Sequence, residues 1–240
     1  AKQEEASQAL GAARAALSDA LDNAAIAARA KEVEAAWSGI KSDLQAAKLS
    51  PRESFARHTA LIAGQLELLE QLVDFHALSL DPEAEVYHLV MAVTMHMPAF
   101  TESLGQMRAR GSAYLGARQL NASEQATIAA NLEVAKLQSA NMLRSLDKVT
   151  SVSPAMKQAL SDSLQTSRNE LAAGIRLITA EILRPEAPVA APVDYFQAMT
   201  RVIDAQFVLL DHGMIQLNDA LEQRVTGLHR MRALVFSGVA

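Results

Sequence analysis

Apolar residues recur at alternating spacings of three and four along most of the chain. The third predicted helix shows the pattern at Val86, Val90, Val93, Met97, Phe100, Leu104, Met107, Gly111 and Tyr114. The sixth shows it at Phe196, Thr200, Ile203, Phe207, Leu210, Met214, Leu217, Leu221, Arg224, Leu228 and Met231. A spacing that averages 3.5 residues predicts long α-helices that pack nearly parallel, as in helical bundles.

Prolines and capping residues divide this pattern into helices. Ser50-Pro51-Arg52-Glu53 reads as a capping box with proline in the first turn, and RPEAPVAAPV at 184–193 reads as an extended linker. The predicted helices cover residues 3–49, 52–80, 83–118, 122–150, 154–184 and 194–236. Pro98 falls inside a helix, where its missing N–H predicts a local kink.

The expected fold is therefore all-α, an elongated antiparallel bundle of six helices with long first and last helices. Two stacked four-helix modules are the alternative arrangement. Composition agrees, because Ala and Leu predominate while strand-favouring aromatics are limited to 6 Phe, 3 Tyr and 1 Trp.

Charge and cysteine content exclude several classes of function. The 22 Lys and Arg against 27 Asp and Glu give a net charge of -5 without a basic block, so no nucleic-acid partner is predicted. The chain has no cysteine, which excludes a disulfide scaffold, a thiolate metal site and a cysteine nucleophile.

Catalytic motifs are also missing. The sequence has no HExxH, no Gly-rich phosphate loop and no GxSxG. His88 and His96 are eight residues apart with no carboxylate at ligand spacing, so neither a metal nor another cofactor is predicted. A helical enzyme such as a metal-dependent oxidase is disfavoured, and the chain is predicted not to be an enzyme.

Polar residues beside the third seam are the first candidate ligand site. Tyr87, Thr94, Thr101 and Arg108 repeat every seven residues next to the core line. They form either a polar rim between helices, with Arg108 paired to a carboxylate, or an anion site in which arginine supplies bidentate hydrogen bonds.

The sixth predicted helix adds a second polar layer. Thr200 lies on the seam, with Arg201 and Asp204 beside it. A threonine alone can bond a carbonyl of its own helix, but these three together could hold a small polar ligand. Arg224 on the same seam requires a partner, because an unpaired buried guanidinium is costly.

Two segments match one family pattern. The matching positions of the first are His58, Asp74, the Leu80-Asp81-Pro82 turn, Tyr87, Leu89, Pro98 and the stretch from Leu104 to Gly111. The second, YFQAMTRVIDAQFVLL followed by LNDALEQRVTGLHRMR, looks like a long return helix that runs into a membrane span. Both resemble extracytoplasmic helical sensor domains of bacterial receptors, chiefly methyl-accepting chemotaxis proteins. Among such domains, the chain resembles the double-module helical bundles or the nitrate-sensing-type domains.

The resemblance implies a periplasmic ligand-binding domain of an inner-membrane chemoreceptor or other signal transducer. Residues 1–240 would form one sensor domain, or two modules, that binds a small carboxylate or inorganic anion between helices and signals by a shift of the last helix. It also implies a homodimer and flanking membrane spans, the second starting in the charge-free ALVFSGVA at 233–240.

A different class of function remains open on the residues alone. The richness in Ala and Leu and the length of the amphipathic helices also suit a soluble helical scaffold or a surface-coating interaction protein.

Overall fold

The computed structural model describes residues 2–17, 19–118, 120–184 and 190–237, with side chains as far as Arg232. This part of the chain is helical and contains no strand, which confirms the all-α prediction. The helices are α1 (Lys2–Ala16), α2 (Ala24–Gln45), α3 (Pro51–Phe75), α4 (Ala84–Val90, a π-helical segment Met91–His96, and Met97–Ala117), α5 (Ala122–Val152), α6 (Pro154–Ile178, continued by a π-helical segment Thr179–Leu183) and α7 (Pro192–Ser237). Short 3-10 helices lie at Ala20–Asp22 and Leu78–Leu80.

Seven helices in the described residues replace the six that the sequence predicts. The prediction of a single first helix over 3–49 is wrong, because the helix is interrupted between Ala16, where α1 ends, and Ala24, where α2 begins. Asn23 takes an extended conformation there, and its side-chain oxygen accepts from the backbone N–H of Ala25 at 3.0 Å and of Ile26 at 3.3 Å. This N-cap competes with helix continuation and starts a new helix.

The chain separates into two compact units, Ala1–Ser79 and Leu80–Ala240. The first unit holds α1, α2 and α3. Its core is formed by Val33, Ile40 and Leu61, with Leu10, Trp37 and Leu44 packed against it. An ion pair of 2.6 Å between Arg57 and Asp43 links α3 to α2.

The second unit is a four-helix bundle in which α4 contacts α5 and α7, and α6 contacts the same two helices. Close contacts between α4 and α7 pair Gly111 with Tyr195 and Val93 with Gly213, so these helices run antiparallel. All the predicted seam residues of α4 from Val86 to Gly111 are buried. The predicted α4 seam is therefore confirmed as far as Gly111, whereas its last predicted member, Tyr114, is only partly buried.

The seam predicted for α7 is displaced by one residue over most of its length, although two of its predicted members, Ile203 and Leu217, are buried. The buried side follows Tyr195, Met199, Val202, Gln206, Leu209 and Gly213. Phe196 and Phe207, which the pattern places in the core, are 44% and 46% exposed. Two adjacent stripes of α7 are largely apolar. The stripe that faces α4 and α6 is the one that makes close contacts at glycines, such as Tyr195 with Gly111 and Val202 with Gly174.

A π-helical segment stands where the sequence predicts a kink. It covers Met91–His96, directly before the turn that contains Pro98. Proline has no N–H to offer the carbonyl four residues earlier, at Thr94, and its ring crowds that carbonyl. The wider π turn absorbs this mismatch without ending the helix.

The predicted start of a membrane span at 233–240 lies outside the residues whose side chains are described. Within the described residues, no helix is both long and apolar enough to cross a membrane.

Candidate functional site

The site is built around Arg108, which α4 presents toward α7. Its neighbours Leu104, Met107 and Gly111 are buried in the core, so the arginine lies at the edge of that core and is half-buried. Its Nη1 donates a hydrogen bond of 2.9 Å to Thr200 Oγ1. Its guanidinium carbon lies 4.6 Å from the centre of the Phe196 ring, which is a cation–π distance.

Arg108 keeps donor capacity that the described residues do not use. Its Nε is buried and has no hydrogen-bond partner among them, and no ion pair within them joins this guanidinium to a carboxylate. Burial lowers the pKa of Arg108 from its ordinary value, and the negative charge of Asp204 opposes that shift. A buried, unsatisfied N–H of a charged group is costly, so the arrangement favours an added acceptor.

Two of the three α7 candidates adjoin this arginine. Thr200 accepts from Arg108 and donates its own hydroxyl to the Phe196 carbonyl at 2.8 Å. Asp204 follows one helical turn later and is exposed, and its charge acts on Arg108. Arg201 is exposed beside them, and the described contacts give it no hydrogen bond within the site.

The other α4 candidates lie away from Arg108. Thr94 donates to the Val90 carbonyl at 2.7 Å and Thr101 to the Pro98 carbonyl at 2.9 Å, and both are buried. The Tyr87 ring meets His88 edge-on at 5.1 Å. At 1.5 Å per residue, Tyr87 lies about 30 Å along the helix from Arg108. One small ion cannot contact both ends of this row.

Phe196 is a site residue that sequence reasoning assigned to the core instead. It precedes Thr200 by four residues and so shares its side of α7. That spacing, next to an arginine-bearing seam, is the signal that could have identified it. Its ring covers one face of the guanidinium.

Arg224 has the partner that its position on the seam requires. It pairs with Asp81, whose side chain is 5% exposed, just before α4 begins. This confirms that Arg224 is paired, and the pair ties α7 to the start of α4.

His88 and His96 lie on α4, and like charges of α5 act on both. Burial, and then the charge of Lys148, lowers the pKa of His88; burial, and then the charge of Arg144, lowers that of His96. No group of three or more possible metal ligands occurs within the described residues.

The more buried of the two, His96, predicts a loss of stability in acid. Its folded pKa is below the ordinary value of about 6.5, so the unfolded chain takes up the proton first. We expect the melting temperature to begin falling as the pH drops below about 6.5 and to continue falling toward the lower folded pKa. His96→Gln should reduce this dependence in thermal melts between pH 7.5 and 5.5. An unchanged slope in the variant would contradict this assignment.

Comparison with known proteins identifies a family for this chain. A family model described as nitrate and nitrite sensing matches residues 1–226. Searches of curated proteins and of solved structures found no match. The family is an extracytoplasmic sensor domain of bacterial receptors, not a catalytic family, and its ligands are small anions. By the extent of this match, the chain belongs to the nitrate and nitrite sensing family.

Proposed function

We propose that this chain is the periplasmic ligand-binding domain of a bacterial chemoreceptor or related transmembrane signal transducer, and that it binds nitrate or nitrite at Arg108. The observation that carries the proposal is the half-buried Arg108, with an unbonded Nε and no carboxylate partner in the described residues. The family match supplies the ligand class. The sequence led us to expect a small carboxylate or an inorganic anion, and the family match favours nitrate or nitrite among these ligands.

The chemistry of the guanidinium suits such a ligand. Nη1 donates to Thr200 at 2.9 Å, so the anion is expected at the edge formed by Nε and the neighbouring Nη2, where the buried Nε must be uncovered for the ligand to reach it. Two oxygens of a planar nitrate can accept from this edge in a bidentate pair, as a carboxylate does. The Phe196 ring on the guanidinium face holds the fork in place and reduces the ordering that binding requires.

The position of the site between two helices supplies a route to signalling. Arg108 belongs to α4, whereas Thr200 and Phe196 belong to α7. An anion bound to the guanidinium would alter the contacts of Arg108 with Thr200 and Phe196, and so the packing of α4 against α7. If the anion binds more tightly to one of two packings of α7, its binding shifts this last helix toward that packing. The proposal includes the flanking membrane spans and the homodimer that the resemblance implies.

A soluble scaffold is the competing class. Membership of a sensing family and a half-buried cationic site between two helices favour the receptor. The exposed apolar residues of α7 do not by themselves distinguish the two.

Calorimetric titration of the purified chain with sodium nitrate tests the proposal. We expect saturable binding at one site per chain, and a loss of about 30-fold or more in affinity in Arg108→Ala, because a bidentate charge-assisted pair contributes about 2 kcal/mol or more. Arg108→Lys should recover only part of it, because an ammonium lacks the fork.

Arg168→Ala is the matched control. It removes the same charge from α6, where Arg168 pairs with Asp147 at 3.0 Å, and should leave nitrate affinity within about twofold. Equal nitrate affinity in Arg108→Ala and the unmodified chain would overturn the proposal.

A further inference from the structure

We propose that Asp204 makes the Arg108 site selective for singly charged anions, by repelling the ligand across a short gap without touching it. This inference rests on the proposed anion site and names the property that decides which anions it accepts. It assigns Asp204 a role in specificity, where the sequence alone suggested a ligand contact.

The geometry places the carboxylate beside the site. Thr200 Oγ1 lies 2.9 Å from Arg108 Nη1, and Asp204 follows Thr200 by four residues in the unbroken helix α7. Residues at this spacing lie on the same side of a helix, about 6 Å apart along its axis. The Asp204 carboxylate therefore lies one helical turn from Thr200, which accepts the hydrogen bond of Arg108.

The Asp204 carboxylate is close enough to influence the site electrostatically, but it is not paired with the arginine. Asp204 is exposed and forms no ion pair with Arg108 within the described residues. Its negative charge nevertheless counts among the influences on the Arg108 pKa. A ligand on Arg108 therefore experiences both the attraction of the guanidinium and the repulsion of this carboxylate.

Shape alone does not distinguish nitrate from sulfate at a guanidinium fork, because either can present two oxygens to it. Charge does. The Coulomb energy between Asp204 and the ligand is proportional to the charge of the ligand, so the repulsion of a dianion is twice that of a monoanion. Removing the carboxylate should therefore multiply the affinity for a dianion by the square of the factor gained by a monoanion.

Asp204→Asn tests this with nearly no change of shape. At pH 7.5 and one fixed low ionic strength, we expect nitrate affinity to rise roughly threefold, and sulfate affinity roughly ninefold, since an exposed carboxylate about 6 to 8 Å away acts through a high dielectric. Calorimetric titration of both anions into both proteins measures the two factors. A thermal melt of each confirms that the fold is retained.

Asp211→Asn provides the matched control. It makes the same change of charge on the same helix, at another exposed position seven residues farther along, about a Debye length from Asp204. We expect less than a twofold change for either anion. Equal factors for nitrate and sulfate in Asp204→Asn, a nitrate change under twofold, or the same gains in Asp211→Asn would overturn the inference. Failure of the unmodified chain to bind nitrate would instead overturn the anion site itself.

Discussion

Gly111→Ala is expected to lower the free energy of unfolding by about 3 kcal/mol, through overpacking in the core of the second unit. A Cβ at position 111 would lie 2.5 Å from Cζ and 2.6 Å from Cε1 of Tyr195, well inside van der Waals contact. The Tyr195 ring is fully buried, and its hydroxyl donates to the Met107 carbonyl at 3.1 Å. It can yield only by breaking that bond and displacing α7 from α4. Urea denaturation measures the loss.

Gly105→Ala, on the same helix, separates this contact from a general effect of glycine. A Cβ there would meet only the flexible end of Glu102, at 3.9 Å. We expect unchanged stability or a gain of up to about 1 kcal/mol, because alanine favours helix more than glycine does. Equal stability of Gly111→Ala and the parent would show that Tyr195 does not need this close approach.

Gln206→Glu is expected to cost a similar amount, roughly 3 kcal/mol near pH 7.5. Gln206 is completely buried; its Oε1 accepts from Ser167 Oγ at 2.6 Å, while its Nε2 donates to the carbonyls of Ser167 and Val202 at 3.3 and 3.1 Å. A carboxylate would lose both donor bonds and place its charge against two carbonyl oxygens. Denaturation at several pH values measures the cost.

The pH dependence of this variant distinguishes charge from shape. Burial would raise the pKa of the new carboxyl above its unfolded value of about 4.3. The penalty should therefore be small below that value and grow as the pH rises through the folded pKa. Gln197→Glu, the same change at an exposed position of α7, should stay within about 0.5 kcal/mol of the parent. A flat profile for Gln206→Glu would contradict the prediction that the cost arises from a buried charge.

The helix boundaries with strong local signals are those that the sequence predicts well. Ser50 with Glu53 and Asn121 with Glu124 both form the capping boxes that their spacing indicates. Such caps are made by side chains and backbone within one turn. The start of α2 escaped prediction because Asn23 is followed at the third position by Ile26, which gives no reciprocal bond to mark the cap.

The candidate site was only half visible in the sequence. Arg108 was identified because it lies one residue from a regular apolar seam, where a partly buried guanidinium requires a partner. Its contact with Thr200 joins residues 92 positions apart, and nothing local indicates that Phe196 and not another side chain of α7 covers the arginine. Two apolar stripes one residue apart allow two orientations of α7. The predicted one is wrong at Phe196 and Phe207, although Ile203 and Leu217 of the predicted stripe are buried.

Local chemistry by itself determined that this protein is helical, where most of its helices begin and end, and that the side of α4 from Val86 to Gly111 is buried, because capping and periodicity act over a few residues. Tertiary structure alone decided the rotation of α7, since that depends on which stripe lets Gly111, Gly174 and Gly213 approach their neighbours most closely. The same rotation brings Phe196, Thr200 and Asp204 to Arg108. The site is therefore a product of packing between distant helices, which no local pattern specifies.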